Sequence, residues 1–399
     1  MLRVLTLSTL FPNAAQPNFG VFVENQTLRL AACEGVELRV VNPIGLPPFP
    51  LDLHPHYRDL RSLPEAECWK GVQVARPRFL TLPGLSGPLN PSLLVHAARK
   101  VLRRWQAEGF HFDVIDAQFF YPDGPAAARL AREFGVPFSI KARGADIHYW
   151  GARRACRAQI LRAAAEADGL LTVAQSLRQD MVAMGMEAAK IGVHYTGVDL
   201  DRFRPLDRAA AKAKLGVTGP LVVSLGALIP RKGHDLVIEA MAGIPDATLL
   251  VAGSGPEQAR LLALAEARGV AGRVRLLGGV PHGQLPAILA AADVMALASE
   301  SEGLANAWIE AMACGTPVVT PAVDGATEAL DRPAAGRLLR ERTPAAIAEA
   351  IRSILADPPA AEAVRASAER FTWQRNTAGL REHLQRLCGT VQARPGLPA

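Results

Sequence analysis

Two carboxylates and two cations, placed where the sequence reads as strand-to-helix turns, are the side chains best suited to chemistry. Glu302 and Glu310 stand eight positions apart in SESEGLANAWIEAMACGTPVV, residues 299–319. Between and around them Leu304, Ala307, Trp308, Ala311 and Met312 recur at offsets of three and four, which is one helical face. Gly315 stops this helix, Pro317 prevents its return, and Val318-Val319-Thr320 begins a strand. A loop rising into a helix N-terminus offers unpaired N–H groups and a positive dipole end, so it suits a phosphate. Glu310, roughly two turns inside that helix, reaches whatever hangs from the phosphate.

Eight helical residues span about 12 Å. Carboxylates of retaining glycosidases need about 5 Å and of inverting ones about 6.5–9.5 Å. The pair therefore grips two parts of one ligand instead of sharing an acid–base step. Arg231-Lys232-Gly233 follows another apolar run and supplies the counter-charge for a diphosphate, Arg by its fork and Lys as a point charge. Lys141, Arg143 and Asp146 gather in VPFSIKARGAD at a strand's carboxyl end, where α/β proteins bind ligands. Gly20 sits at the mouth of the first strand–helix crossover, as a plain turn residue or as a point of close ligand approach.

Other motifs carry less. Gly253-Ser254-Gly255 follows a strand but lacks the third glycine and the acidic partner of a dinucleotide fingerprint, which disfavours hydride transfer. Asp199-Leu200-Asp201 reads as a cap or linker, and the nine histidines form no HExxH or HxH cluster with carboxylates, so no protein-bound metal is expected.

These residues need a scaffold, and the chain supplies one twice. RVLTLST, a Gly-bearing loop and a helix reaching Ala32 open a βαβ series; GPLVVSLGAL, IPRKG and HDLVIEAMAGI open another. Strands alternating with helices imply parallel sheets covered on both faces. The fold class is α/β, with two doubly wound Rossmann-like domains facing a cleft. The first covers residues 1–203 and the second 204–371, with a helix at 372–388 returning to the first; RPGLPA reads as a frayed end. Residues 42–92 are a proline-rich excursion with one hairpin around Val72 to Phe79.

A chain of 399 residues with 49% hydrophobic and 21% charged residues is globular. Its 44 basic and 38 acidic residues leave +6, of which 24 − 19 = +5 lies in residues 1–204 and 20 − 19 = +1 after them. That balance argues against nucleic acid as a partner. The helix PSLLVHAARKVLRRWQ is basic and amphipathic, either a peripheral contact with an anionic membrane or a core helix with a solvated basic face. Five scattered cysteines without metal spacing suit reduced thiols in the cytosol. MLRVLTLSTLF has one basic residue and no small-x-small cleavage site, so it reads as a buried strand and not a leader.

EGLANAWIEAMACGTPVV, LGALIPRKGHDLVIEA, VAGSGPE and HYTGVDLDRF together resemble the retaining GT-B glycosyltransferases of family 4 over nearly the whole chain. STLFPNAAQPNFGVFVENQ is similar to bacterial surface-polysaccharide members. The resemblance implies a hexosyl-type, metal-independent transfer with retained configuration from a UDP- or GDP-type nucleotide sugar to a saccharide or lipid-linked acceptor, in the cytoplasm or at the inner face of the plasma membrane. It makes Arg231 and Lys232 diphosphate ligands, helped by backbone N–H groups at Leu304, Ala305 and Asn306. Glu310 would hold the ribose and Glu302 the donor sugar. Gly226 and Gly253 join the donor-binding positions, while Gly20 lies in the loop where acceptor and donor meet. The chain departs from the family at Ala227, where Arg is common, and at Arg143, where His is common, so Arg143 with Asp146 would read a different sugar or acceptor. An epimerase on the same architecture and a non-catalytic nucleotide-sugar-binding protein are the alternatives.

Overall fold

The computed structural model describes residues 1–82 and 84–392, and the segment RPGLPA lies outside them. Its contacts divide the chain into two units: Met1–Tyr195 together with the chain from Gln374 on, and Thr196–Trp373. The first unit contains strands β1 (Leu2–Leu7), β2 (Val36–Val41), β3 (Ile44–Leu46), β4 (Ala66–Trp69), β5 (Val72–Ala75), β6 (Arg78–Leu80), β7 (Val114–Ala117), β8 (Phe138–Ala142), β9 (Gly169–Thr172) and β10 (Ile191–Val193). Eight form one sheet in the order β10-β9-β8-β7-β1-β2-β5-β4, and β3 pairs with β6 apart from it.

β1 is interior to that sheet and is parallel to β2 and β7. Leu2, Val4, Leu5 and Leu7 are all buried, as a strand covered on both faces demands. The opening run is thus core. The final helix, Trp373–Gln392, sends Leu380, Leu384 and Leu387 into the cluster that holds Val4, Val40 and Val114.

The hairpin falls earlier than the pattern places it. β4 and β5 are antiparallel around Lys70-Gly71, whose φ angles of 49° and 90° give the twist of a two-residue hairpin turn. β6 leaves it to pair in parallel with β3. The basic helix spans Asn90–Ala107, and its apolar face (Leu94, Val95, Ala98, Leu102, Trp105) is packed into the core. Arg99 and Arg103 meet Glu133 at 2.7 and 2.9 Å. It is a core helix with a solvated basic face, Arg103 and Arg104 being exposed.

The second unit contains β11 (Leu221–Leu225), β12 (Thr248–Ala252), β13 (Val274–Gly278), β14 (Val294–Ala296), β15 (Val318–Pro321) and β16 (Gly336–Leu339), all parallel, in the order β13-β12-β11-β14-β15-β16. The division between units follows Tyr195, not Asp201-Arg202-Phe203. Hydrogen bonds give the reason. Val198 N–H donates to Phe371 O at 2.7 Å, and Arg365 donates to the carbonyls of Phe203 and Leu200 at 2.8 and 2.9 Å.

Candidate active site

In the second unit the loops after β11, β14 and β15 leave the same carboxyl edge of the sheet, where parallel α/β sheets take ligands. Pro230–Lys232 makes a single helical turn after β11. Lys232 Nζ is ion-paired with Glu302 Oε1, and Arg231 Nη1 lies 3.8 Å from Glu302 Oε2 while donating to the Ser301 carbonyl. Ser299 Oγ donates to Glu302 Oε1 at 2.7 Å, and Glu302 N–H donates to Asp324 Oδ2 at 2.8 Å. Glu302 therefore ties three loops together. Two cations and two carboxylates, Glu302 and Asp324, gather here, and an anionic ligand that displaced Glu302 from Lys232 and Arg231 would meet both cations.

The helix after this loop spans Asn306–Ala313, and no side chain caps its start. Its first N–H groups have no acceptor within the helix. Leu304 and Ala305 are buried just ahead of it. Because the helix begins at Asn306, Glu310 stands about one turn inside it instead of two. Glu302 precedes the helix altogether, so the 12 Å helical spacing does not apply to the pair. Glu310 Oε1 bonds His282 Nε2 at 2.8 Å, and the His282 ring lies 5.5 Å from that of Phe203.

Gly226 and Gly253 close the ends of β11 and β12 against one another. Gly226 N–H donates to Ala252 O at 3.0 Å, and a Cβ on Gly253 would stand 1.7 Å from Gly226 O. Only glycine allows that approach. Behind them His234 Nδ1 meets Ser224 Oγ at 2.9 Å, and burial pushes this imidazole down to about 4.

In the first unit Asp146 is fully buried and accepts the N–H groups of Phe120, Arg143 and Gly144 at 2.8, 2.9 and 2.8 Å. It shapes the loop after β8 and does not face solvent. Arg143 donates from Nε to the Gln118 carbonyl at 2.8 Å and from Nη2 to the Gln118 amide oxygen, with its guanidinium 4.6 Å over the Phe22 ring. Burial lowers it to about 10. Lys141 is wholly buried: its Nζ donates to Gln26 Oε1 at 2.9 Å and lies 2.5 Å from His194 Nδ1. His194 Nε2 is 2.7 Å from the Asn376 carbonyl, which fixes the neutral tautomer that leaves Nδ1 as acceptor. Gln26 then donates to Gln118 at 2.8 Å, and Gln118 to Asp116, whose carboxyl burial raises to about 6. One hydrogen-bonded chain thus runs from the terminal helix to the group holding Arg143. Gly20 opens the helix Val21–Ala31 at φ 76°, with room for no Cβ because Leu10 C and O stand 2.7 Å from that position.

Ser299, Asp324 and His282 escape a reading by spacing, since they meet the two glutamates only through the fold. A carboxyl-end location is the signal they share: Asp324 follows β15 and His282 follows β13.

Residues 20–202 match the family model Glycosyltransferase Family 4, and residues 207–371 match Glycosyl transferases group 1. The chain belongs to the family 4 glycosyltransferases. This glycosyltransferase is 27% identical over 362 residues, 88% of each chain, to TuaC of Bacillus subtilis (strain 168), named a teichuronic acid biosynthesis glycosyltransferase. It is 35% identical over 243 residues to D-inositol 3-phosphate glycosyltransferase of Mycobacterium tuberculosis (strain F11), spanning 57% of this chain and half of that one. Among solved structures, sucrose-phosphate synthase of Thermosynechococcus elongatus superposes with a TM-score of 0.81 at 21% identity, covering 98% of this chain and all of the other. Anabaena HepE in complex with UDP-glucose gives 0.74 at 20% identity, over 97% of this chain and all of the other. Two Rossmann-like domains of the GT-B type are the architecture they share, and transfer replaces the epimerase and binding-only alternatives. No helix among the described residues is long and apolar enough to cross a membrane.

Proposed function

We propose that this glycosyltransferase moves a sugar, with retained configuration and without a metal, from a UDP- or GDP-type nucleotide sugar to a saccharide or lipid-linked saccharide acceptor, in surface-polysaccharide assembly at the cytoplasmic face of the membrane. The observation that carries the reading is the convergence of Arg231, Lys232 and Glu302 immediately ahead of an uncapped helix that bears Glu310. The cations and the helix N–H groups neutralise the diphosphate, Glu310 takes the ribose hydroxyls, and Glu302 takes the sugar hydroxyls. TuaC, named for teichuronic acid biosynthesis, supports the surface-polysaccharide setting, and the UDP-glucose bound by Anabaena HepE supports the donor class.

In the reaction the bond from the anomeric carbon to the phosphate oxygen breaks as the acceptor oxygen joins the same face of that carbon. The acceptor's proton passes to the departing phosphate, so no protein nucleophile is required. Arg231 and Lys232 stabilise the charge that develops on the leaving diphosphate. Arg143 and the loop ordered by Asp146 belong to acceptor or sugar recognition. Incubation with a panel of nucleotide sugars and phosphate- or diphosphate-linked lipid saccharides tests the proposal. Acceptor-dependent nucleotide release with an axial or equatorial product linkage matching the donor supports it. Inverted linkage, or isomerised donor without transfer, overturns it.

A further inference from the structure

The helix Asn90–Ala107 has its apolar residues in the core and two of its arginines on Glu133, yet another face of the first unit presents both apolar and basic side chains outward. β3 and β6 are parallel, so the segments that follow them leave the same end of this two-stranded ribbon. The first exposes Phe49, Leu51 and Leu53 (76, 54 and 49%), and the second exposes Leu85 and Leu89 (79 and 61%). Single exposed apolar residues are ordinary, but five on two segments that leave one end of the same ribbon call for a partner.

The second loop rests on Trp150. A Cβ on Gly87 would lie 3.2 Å from that ring, Tyr121 Oη donates to the Gly87 carbonyl at 2.6 Å, and Gln159 donates to the Pro88 carbonyl at 2.8 Å. Beside Trp150, Tyr149 is 55% exposed, with the Arg153 guanidinium 3.6 Å over its ring. The helix Arg154–Glu166 starts here and exposes Arg154, Arg157 and Arg162. Its one acid, Glu166, is bound by Arg132 at 2.6 Å. Among the described residues no carboxylate lies within ion-pair distance of Arg153, Arg154, Arg157 or Arg162.

We infer that this face docks on an anionic lipid bilayer. Leucine and phenylalanine side chains enter the boundary between head groups and acyl chains, Tyr149 and Trp150 sit at head-group level, and the arginines meet the anionic head groups. Charge selects lipid over a second copy of the chain, since a self-paired face would bring unneutralised arginines together. A cavity of about 230 Å³ opens beside the loops and is lined by Phe19, Asn42, Ile44, Gly45, Phe79 and Asn90 among others, none of its lining residues charged. The inference deepens the proposed use of a lipid-linked acceptor and rests on that reading for its purpose, though not for its test.

The test is sedimentation of the whole protein with vesicles of equimolar phosphatidylglycerol and phosphatidylethanolamine, beside vesicles of phosphatidylcholine. Binding should favour the anionic vesicles and weaken as salt screens the arginines. Leu85→Asp with Leu89→Asp, and separately Arg154→Glu with Arg157→Glu, should each weaken it roughly tenfold or more. Lys100→Glu on the other basic helix should bind like the parent. Equal binding to both vesicles, leucine variants that bind like the parent, or a salt-stable dimer of the parent that the leucine variant loses would overturn the inference. Nucleotide release from the donor without vesicles is measured in parallel. Release without vesicle binding defeats this surface and leaves transfer standing; vesicle binding without release upholds the surface and counts against transfer.

Discussion

Lys232 and Glu302 form an ion pair between the loop after β11 and the loop after β14, although 70 positions separate them in the chain. Arg231 approaches the other oxygen of the same carboxylate at 3.8 Å. Lys232→Met should lower kcat/KM by roughly a hundredfold, since a cation aimed at developing charge is lost. The fold should survive, because Ser299 and Arg231 remain on Glu302. Steady-state nucleotide release and a thermal melt check both parts. Near-parental kcat/KM would remove Lys232 from the reaction.

Glu310 is held by His282 at 2.8 Å in a half-buried setting. Glu310→Ala should abolish donor binding as read by calorimetry. His282→Ala should weaken it by a smaller factor of about 10, the scale of losing one positioning hydrogen bond to a charged group. If donor binds Glu310→Ala normally, the ribose assignment is wrong.

His383 lies on the terminal helix with Nε2 2.7 Å from Ser139 Oγ, and burial lowers its imidazole from 6.5 to about 4. The folded chain keeps it neutral while the unfolded chain takes up a proton below 6.5. Its contribution is therefore complete above that value and is lost as pH falls toward 4, by about 3 kcal/mol at most. Asp116 and Asp123, raised by burial to about 6 and about 7, act with the opposite sign, favouring the fold when protonated. The difference between parent and variant isolates the histidine. His383→Gln should be clearly less stable than the parent at neutral pH, with the gap shrinking toward pH 4. A gap independent of pH in chemical denaturation contradicts the assignment.

Gly253→Ala would drive a methyl into the Gly226 carbonyl, at 1.7 Å before relaxation. A loss of about 2 kcal/mol or more is expected, since backbone and not a flexible side chain must move. Gly272→Ala, with nothing within 4 Å of the added carbon, is the control and should leave the melting temperature nearly unchanged.

Arg231, Lys232 and the helix start supply the diphosphate's counter-charge in the proposed reaction. A chelator should then leave transfer at its parental rate, with added magnesium changing it less than twofold, well under 1 kcal/mol of barrier. Loss of turnover on chelation, restored by a divalent ion, would contradict the metal-free reading.

Much of this protein was legible before any contact was known. Apolar runs of strand length alternating with helical patterns decide two sheets that are parallel except for the edge strand β4, because a strand covered on both faces must be apolar throughout. The side chains of Arg231, Lys232 and Glu302, which the structure brings together, could be singled out from residue type and from the turn they lie in, and Glu310 from the helical pattern that follows. The helix start at Asn306 was not, since Leu304 fits the same periodicity from outside the helix. The hairpin position was set by Lys70-Gly71, which competes with several other turn signals in a proline-rich stretch. Tertiary structure alone decided the partners: Ser299, Asp324 and His282 for the glutamates, and the chain from Asn376 through His194, Lys141, Gln26 and Gln118 that ends on Asp116. Periodicity reports which face a residue occupies, because burial follows the repeat of its own element. Which polar group lies opposite depends on sheet order, and that order is fixed by packing between segments whose spacing in the chain carries no record of it.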